Sequence, residues 1–280
     1  MPSFGSHISI RGGYLQCAKN ARQIGADAYQ FFAKNPRSLR PKSYDHADAE
    51  NCAAFCREHR LQAIVHSPYP TNLAEQDKEL AELTVTSLLN DLAITEACGA
   101  RGVVVHFGKS RQQDPLLGYR DIINTLNRVL ASWYGKALLL LENQAGEGSD
   151  MGTTLHELVQ IRALVERPAG IGFCFDTCHA YGSGLWKKGG WPKLVRLGLE
   201  LGYWQHVQAV HYNDSVYPSG SRKDRHATVG SGAIGLEQMT EVIRTPALAD
   251  KLFILETGSG ADGTHREEIS LIRSLARMER

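Results

Sequence analysis

The sequence predicts an α/β fold: a single-domain (β/α)8 barrel over residues 1–280. Three observations carry that reading. Eight short apolar runs recur along the chain, amphipathic stretches with a helical period separate them, and no Pro/Gly-rich linker or low-complexity tract breaks the alternation. Strict strand–helix alternation implies a parallel sheet, because parallel neighbours need a long crossover. Eight such units in 280 residues suit a closed barrel. An open doubly wound sheet has the same periodicity and stays as the alternative.

Taken in order, the strands fall at Gly5–Ser9, Ala28–Phe32, Gln62–Ser67, Gly102–Phe107, Ala137–Glu142, Gly170–Asp176, Gln208–Tyr212 and Leu252–Glu256. The stretches "YLQCAKNARQIGA", "DAENCAAFCREHR", "ELAELTVTSLLNDLAITEACGA" and "GTTLHELVQIRALVER" repeat apolar residues at three and four, the helical spacing. In the last of these, Thr153 or Thr154 can cap the helix start.

Composition bounds the class. With 42% hydrophobic and 22% charged residues the chain is an ordinary globular one. A core of this size folds without disulfides or a structural metal, so a metal here would serve function. The six Cys (17, 52, 56, 98, 174 and 178) form no C-x-x-C pair and read as reduced, buried thiols of a cytoplasmic protein. The start "MPSFGSHISI" lacks the basic and apolar regions of a signal peptide. No apolar run approaches the ~18 residues of a membrane span. A net charge of +1 argues against an overall basic coat and leaves local patches open.

The strand ends carry the chemistry. From the third strand on they read "IVHS", "VVHF", "LLEN", "CFDT", "AVHY" and "ILET", setting His66, His106, Glu142, Asp176, His211 and Glu256 on one rim. With only 11 His and 30 Asp plus Glu in 280 residues, six such types at six successive strand ends are no random draw. One strand-end histidine is usually a hydrogen-bonded core residue. Three histidines and three carboxylates on one rim repel or desolvate one another unless cations lie between them. His179 follows Asp176 by three residues, and Asp224 and His226 stand two apart in "GSRKDRHATVGSG", a spacing that turns both side chains to one side of an extended loop. The resulting nitrogen and oxygen donors, without thiolate, suit Zn2+ or Mn2+ in a hydrolytic site. Nine ligands exceed the needs of two tetrahedral ions; a bridging carboxylate would spread them over three.

Four segments in order, "LLENQAGEGSDMG", "CFDTCHAYGSG", "HYNDS…GSRKDRHATVGSGAIG" and "ILET", together with the opening "GSHIS…GG", resemble the endonuclease IV family of apurinic/apyrimidinic (AP) endonucleases along essentially the whole chain. The resemblance implies a TIM barrel with three zinc ions at the carboxyl ends of the strands, Mn2+ being an acceptable occupant of one or more sites. It implies that His66, His106 and Glu142 hold one ion. Glu142 is shared with a second, which also takes Asp176, His211 and Glu256, and His179, Asp224 and His226 hold the third. Glu142 is then the catalytic carboxylate that positions the attacking water between two ions. The implied reaction belongs to base excision repair: hydrolysis 5′ to an abasic site in double-stranded DNA, leaving a 3′-hydroxyl and a 5′-deoxyribose phosphate, with blocked 3′ ends as further substrates. A monomer is expected.

DNA contacts are implied at "FFAKNPRSLRPK", where Arg37 stands in the inserting position and Lys34, Arg40 and Lys42 add charge suited to phosphates. They are implied also at "HSPYPTNLA", with Tyr69 stacking and Pro70 where a bulkier wedge is usual, and at Arg222 and Arg225. Phe107 stands where the family often has Pro. Two rivals remain: a sugar isomerase or epimerase on a similar barrel, which would need one or two metals, and a non-catalytic DNA-damage-binding module.

Overall fold

The computed structural model describes residues 2–277; the ends of the expected domain, Met1 and residues 278–280, lie outside the described residues. In chain order the elements are β1 (Ser3–His7), α1 (Tyr14–Gln23), β2 (Ala28–Phe32), α2 (His46–His59), β3 (Gln62–His66), α3 (Lys78–Ala97), β4 (Gly102–Val105), α4 (Pro115–Ser132), β5 (Leu138–Glu142) and α5 (Leu155–Leu164). They continue as β6 (Ile171–Asp176), α6 (Thr177–Gly182), α7 (Trp191–Glu200), β7 (Val207–His211), β8 (Asp214–Ser215), β9 (His226–Ala227), α8 (Leu236–Ile243), β10 (Leu252–Leu255) and α9 (Arg266–Arg277). Eight strands close into a barrel in the order β1-β2-β3-β4-β5-β6-β7-β10 and back to β1, every pair parallel. The doubly wound alternative is thereby excluded.

Why the runs are apolar throughout follows from what each strand faces. Alternate residues point to opposite sides. Tyr29, Val65, Val103, Leu139, Phe173 and Phe253 face outward into the main core beneath the helices. Ala28, Ile64, Val104, Leu140, Cys174, Ala209 and Ile254 form a second cluster inside the barrel and have no solvent exposure. A strand buried on both faces has no polar side to alternate with. On β1 the interior position is Gly5, where a Cβ would lie 1.6 Å from the Ala28 carbonyl oxygen, so only glycine lets these two strands pair so closely.

One pleat further along each strand, the inward position changes character. Two residues after Gly5, Ala28, Ile64, Val104, Leu140, Cys174, Ala209 and Ile254 come His7, Gln30, His66, His106, Glu142, Asp176, His211 and Glu256. The barrel thus holds an apolar ring and, directly above it at the carboxyl end, a ring of polar groups.

Three features differ from the sequence expectation. The first strand lies at Ser3–His7 rather than Gly5–Ser9, because Phe4 belongs to the outer core and the chain turns away after the Ile8 N–H donates to the Gln30 carbonyl. The sixth strand is followed by two helices, α6 and α7, rather than one. The antiparallel pair β8–β9 went unforeseen, since two residues per strand leave no periodicity. Asp214 in β8 is buried and accepts from the N–H groups of Ser215, Gly230, Gly232 and Ile234 at 2.7–3.0 Å, which folds the glycine-rich "GSGAIG" segment around one carboxylate. Of the two candidate caps, Thr154 is the N-cap of α5, in a capping box with Glu157. All six cysteines are unpaired and buried. No described helix is long and apolar enough to cross a membrane.

Candidate metal centre

The polar ring is centred on Glu142. Its Oε2 lies 3.1 Å from His106 Nε2 and 3.6 Å from His66 Nε2, and its Oε1 lies 2.8 Å from His211 Nδ1 and 3.3 Å from His179 Nδ1. Glu256 Oε2 is 3.2 Å from His211 Nδ1, and Asp176 Oδ2 is 3.9 Å from the same nitrogen. The Asp224 carboxylate reaches in from the loop before β9: its Oδ2 is 3.2 Å from His179 Nε2 and its Oδ1 is 3.2 Å from His226 Nε2. All nine residues singled out as ligand types in the sequence meet here. His66, His106 and Glu142 form one group with donor atoms close enough to share a cation, and Glu142, Asp176, His211 and Glu256 form another.

Hydrogen bonds fix which ring nitrogen faces the centre. A carbonyl can only accept, so the nitrogen against it carries the proton. His66 Nδ1 donates to the Ser67 carbonyl at 2.7 Å, and His179 Nδ1 to the Asn143 carbonyl at 2.9 Å. His226 Nδ1 donates to the Glu256 carbonyl at 3.3 Å. Each leaves Nε2 turned inward. His211 is held the other way round. Gln30 donates from Nε2 to Glu256 Oε1 at 2.6 Å, so its Oε1 takes the His211 Nε2–H at 2.7 Å and leaves Nδ1 facing Glu142. These inward nitrogens meet carboxylate oxygens across about hydrogen-bond distance, a pairing that needs a proton or a cation between them. Glu142 Oε2, His179 Nε2 and His226 Nε2 are buried without a hydrogen-bond partner among the described residues. Second ring nitrogens held by oxygen acceptors, with first nitrogens converging on carboxylates, are what imidazole and carboxylate ligands of a divalent cation need. The residues present fit such a group.

The amides that orient the ligands were missed in the sequence. Asn143 accepts the Asp176 N–H at 2.8 Å and donates to the Asp176 carbonyl at 2.9 Å. Asn213 donates to Asp176 Oδ2 at 2.9 Å and accepts the Glu256 N–H at 2.8 Å. With Gln30 they are wholly buried. Being uncharged, they do not stand out by residue type; the signal that finds Gln30 is its place two residues beyond an interior alanine. His7, at the same level on β1, accepts or shares a proton with Gln30 Nε2 at 3.1 Å.

The electrostatics suit a bound cation. Burial would raise Glu142, yet the His211 and His106 rings and hydrogen bonds from His179 and His211 hold it well below the usual carboxylate range. Burial would lower His179, but Asp176 and Asp224 carry it well above its ordinary value. Glu256 is pulled down to about 2 against its burial by His211 and His66, and Asp224 falls below its ordinary value against burial through His179. Cys178 and Cys174 lie near the ligands, but burial pushes both thiols up to about 12, so they act as packing groups.

The residues expected to meet DNA divide sharply. Tyr69 is 70% exposed, its ring edge-on to Phe32 at 5.2 Å, with Pro70 exposed beside it. Arg37 is exposed on the neighbouring loop, and the Tyr69 N–H donates to the Pro36 carbonyl at 2.8 Å, tying the two loops together. Lys34 is a correction: it is only 3% exposed, and its ammonium is spent on Asp91 and, at 3.0 Å, on the Ser87 carbonyl. The aliphatic stem packs inward, so Lys34 offers no charge to a surface phosphate. Lys42 is half-buried and donates to the Tyr14 hydroxyl at 3.0 Å. Arg222 and Arg225 are exposed but already paired, Arg222 with Asp150 and Arg225 with Glu147.

Known proteins resemble this chain in sequence and fold. The model of the xylose isomerase-like TIM-barrel family matches residues 18–275. A protein of Symbiobacterium thermophilum named probable endonuclease 4 is 42% identical over 271 residues, covering 97% of this chain and 98% of the relative. One of the same name from Halothermothrix orenii is 36% identical, covering 98% and 99%. The crystal structure of endonuclease IV from Thermus thermophilus superposes with a TM-score of 0.85 at 35% identity, covering 98% of both chains. A D-tagatose 3-epimerase-like protein shares the fold, with a TM-score of 0.69 at 18% identity and 98% of both chains covered.

Proposed function

Because the chain belongs to the xylose isomerase-like TIM barrels and, within them, to the endonuclease IV family, we propose that it is a zinc-dependent AP endonuclease of base excision repair. One observation carries the reading: the two oxygens of a single buried carboxylate, Glu142, face two separate sets of histidine nitrogens. His66 and His106 with Glu142 would hold one ion, Glu142 with Asp176, His211 and Glu256 a second, and His179, Asp224 and His226 a third. Zn2+ suits these donors, and Mn2+ is acceptable at one or more of them. Bound there, such ions neutralise phosphoryl oxygens, make water nucleophilic at neutral pH and stabilise a departing alkoxide.

The chain's own residues do the rest. Ser67, Asn143 and Gln30 lock the rings, so the ligand atoms need no rearrangement. Glu142 positions the attacking water. Water adds to phosphorus 5′ to the abasic site and the P–O3′ bond breaks, leaving a 3′-hydroxyl and a 5′-deoxyribose phosphate. Tyr69 and Pro70 line the cleft over His66 and His106, and Arg37 stands on the loop joined to theirs, an arrangement able to brace a gap in a duplex. The substrate is double-stranded DNA with abasic sites or blocked 3′ ends; the protein works as a monomer of one domain, residues 1–280, in the cytoplasm. The competing route, Schiff-base formation and β-elimination, needs an amine whose pKa is lowered so that it attacks as the free base. Burial lowers the pKa of Lys34, but its ammonium is enclosed and paired with Asp91.

The test is a duplex bearing one abasic analogue, incubated with and without chelator, with the ends of the products identified. Cleavage that chelation abolishes, a 3′ end that primes a polymerase, and elemental analysis near three ions per chain are expected. Persistent cleavage under chelation, or a borohydride-trapped adduct, would overturn the mechanism. One ion or none in a fully active sample would overturn the three-ion site.

A further inference from the structure

The polar ring opens into a cleft of about 670 Å3, floored by His66, His106, His179 and Asp224. Its mouth is walled by the loops after β3, β4 and β5, and the cations around it are not equivalent. On one side, Arg222, Lys223 and Arg225 are paired with Asp150 and Glu147 of the loop after β5. Those two acids offset most of that wall's three positive charges. On the loop after β4, Lys109 and Arg111 line the same cleft, are exposed, and have no acid within ion-pair distance among the described residues. We propose that Lys109 and Arg111 form an anion subsite that holds a second phosphate of the DNA chain, beside the one taken at the histidine–carboxylate centre.

The subsite is built rather than incidental. Asn72, three residues beyond Tyr69, grips the Lys109 backbone from both sides: its Oδ1 accepts the Lys109 N–H at 3.0 Å and its Nδ2 donates to the Lys109 carbonyl at 3.2 Å. Gly108 makes the approach possible. Its φ is +82°, and a Cβ there would sit 2.0 Å from Asn72 Oδ1. Ser110 Oγ then accepts the Gln112 N–H at 3.1 Å, turning the chain at Arg111. The Lys109 ammonium spans the mouth toward Gly148, where an added Cβ would lie 2.7 Å from Nζ. Glu147 next to it is already engaged by the Asp224 N–H at 3.0 Å. The Lys109 backbone is fixed at the mouth, and among the described residues no carboxylate pairs with its ammonium. Because Asn72 ties this loop to the one carrying Tyr69, the phosphate it takes has a fixed relation to the site where a duplex would be wedged.

The inference rests on the nuclease reading, and the experiment separates the two. Cleavage of the abasic-analogue duplex is followed across KCl concentrations for the wild type and for the double variant Lys109→Ala/Arg111→Ala. The variant should raise KM about tenfold, change kcat less, and make the slope of log kcat/KM against log salt shallower by about one. Replacing single backbone phosphates by neutral methylphosphonates should reveal one position, other than the cleaved one, that weakens the wild type and leaves the double variant unaffected. Arg128→Ala, which removes a cation already paired with Glu82 on a helix, should change neither slope nor KM. An unchanged slope and KM in the double variant, or no methylphosphonate position that separates it from wild type, would overturn the subsite. A wild type that fails to cut the abasic duplex at all would instead overturn the nuclease reading.

Discussion

Two rings inside the barrel, one pleat apart on the same strands, have opposite chemistry. The lower holds Ala28, Ile64, Val104, Leu140, Cys174, Ala209 and Ile254 and is dry. The upper holds Gln30, His66, His106, Glu142, Asp176, His211 and Glu256, with His7 closing the circle. Both point at the barrel axis and both are largely shielded from water. The lower ring is complete in itself, since apolar side chains fill the space and ask for nothing more. The upper is not: it sets ring nitrogen against carboxylate, which is stable only around something positive. The difference teaches that burial supplies stability in one ring and selectivity for a charged guest in the other, from one strand geometry.

The sharpest way to break the comparison is to remove the upper ring's central charge. Glu142→Gln should lower cleavage at least about a thousandfold, equivalent to about 4 kcal/mol of transition-state stabilisation, while circular dichroism shows the fold retained. Turnover like the wild type would reject Glu142 as the shared carboxylate. The converse change lies two residues earlier. Leu140→Ala should cost about 2–5 kcal/mol of stability through a cavity in the lower ring, yet leave metal content and cleavage intact below the melting transition. A loss of metal without a loss of stability would mean the rings are not separable.

Smaller effects sharpen the contrast. Tyr69→Ala and Arg37→Ala should weaken binding to an abasic duplex more than to an intact one. For Tyr69 the loss should be about 1–3 kcal/mol, because a stacking group contributes only where a gap exists. Equal losses on both duplexes would make these residues simple phosphate contacts. The smallest effect concerns the metal-free protein. Burial lowers His226, but the Asp224 carboxylate 3.2 Å away and the charges of Asp176 and Glu256 raise it to about 9 from an ordinary 6.5. A folded-state value above the unfolded one stabilises fully below pH 6.5 and is lost as pH rises through about 9. The chelated protein should therefore melt a few degrees lower at pH 9 than at pH 6.5, roughly the scale of a modest stability change in a chain of this size. The loaded protein should lack that decline, since a cation replaces the proton. A flat profile for the chelated form would show that protons do not stand in for cations in the upper ring.

The barrel was legible because its strands are buried on both faces, which writes them as unbroken apolar runs such as "GVVV" and "LLLLE". The first strand was placed two residues late because "SFGSH" has one large apolar residue and no run to read. Six of the ligand types were legible because a carboxylate or imidazole at the end of an apolar run is costly without a partner, and His179, Asp224 and His226 were legible from their spacing. Gln30, Asn143 and Asn213 were not, since a buried amide is satisfied by ordinary hydrogen bonds and carries no such alarm. Lys34 misled for the reverse reason: a lysine in a loop rich in Arg reads as surface charge, and only the position of Asp91 on α3 reveals that it is turned inward.

The two-ring register has a consequence for how such a chain can change its length. Side chains alternate with a period of two, so inserting or deleting one residue between the rings of a barrel strand would swing its ligand out toward the helices. On β5, loss of Leu141 would leave Leu140 facing the axis and turn Glu142 to the helix side, if the lower pairing held. Gains and losses of sequence are thus confined to the connections, where Gly258 to Gly263 and the span from Lys187 to Gly190 can absorb them. An insertion scan through β5 and through residues 258–263 should return active protein only from the second, making the strand interiors a fixed ruler and the loops the part free to lengthen.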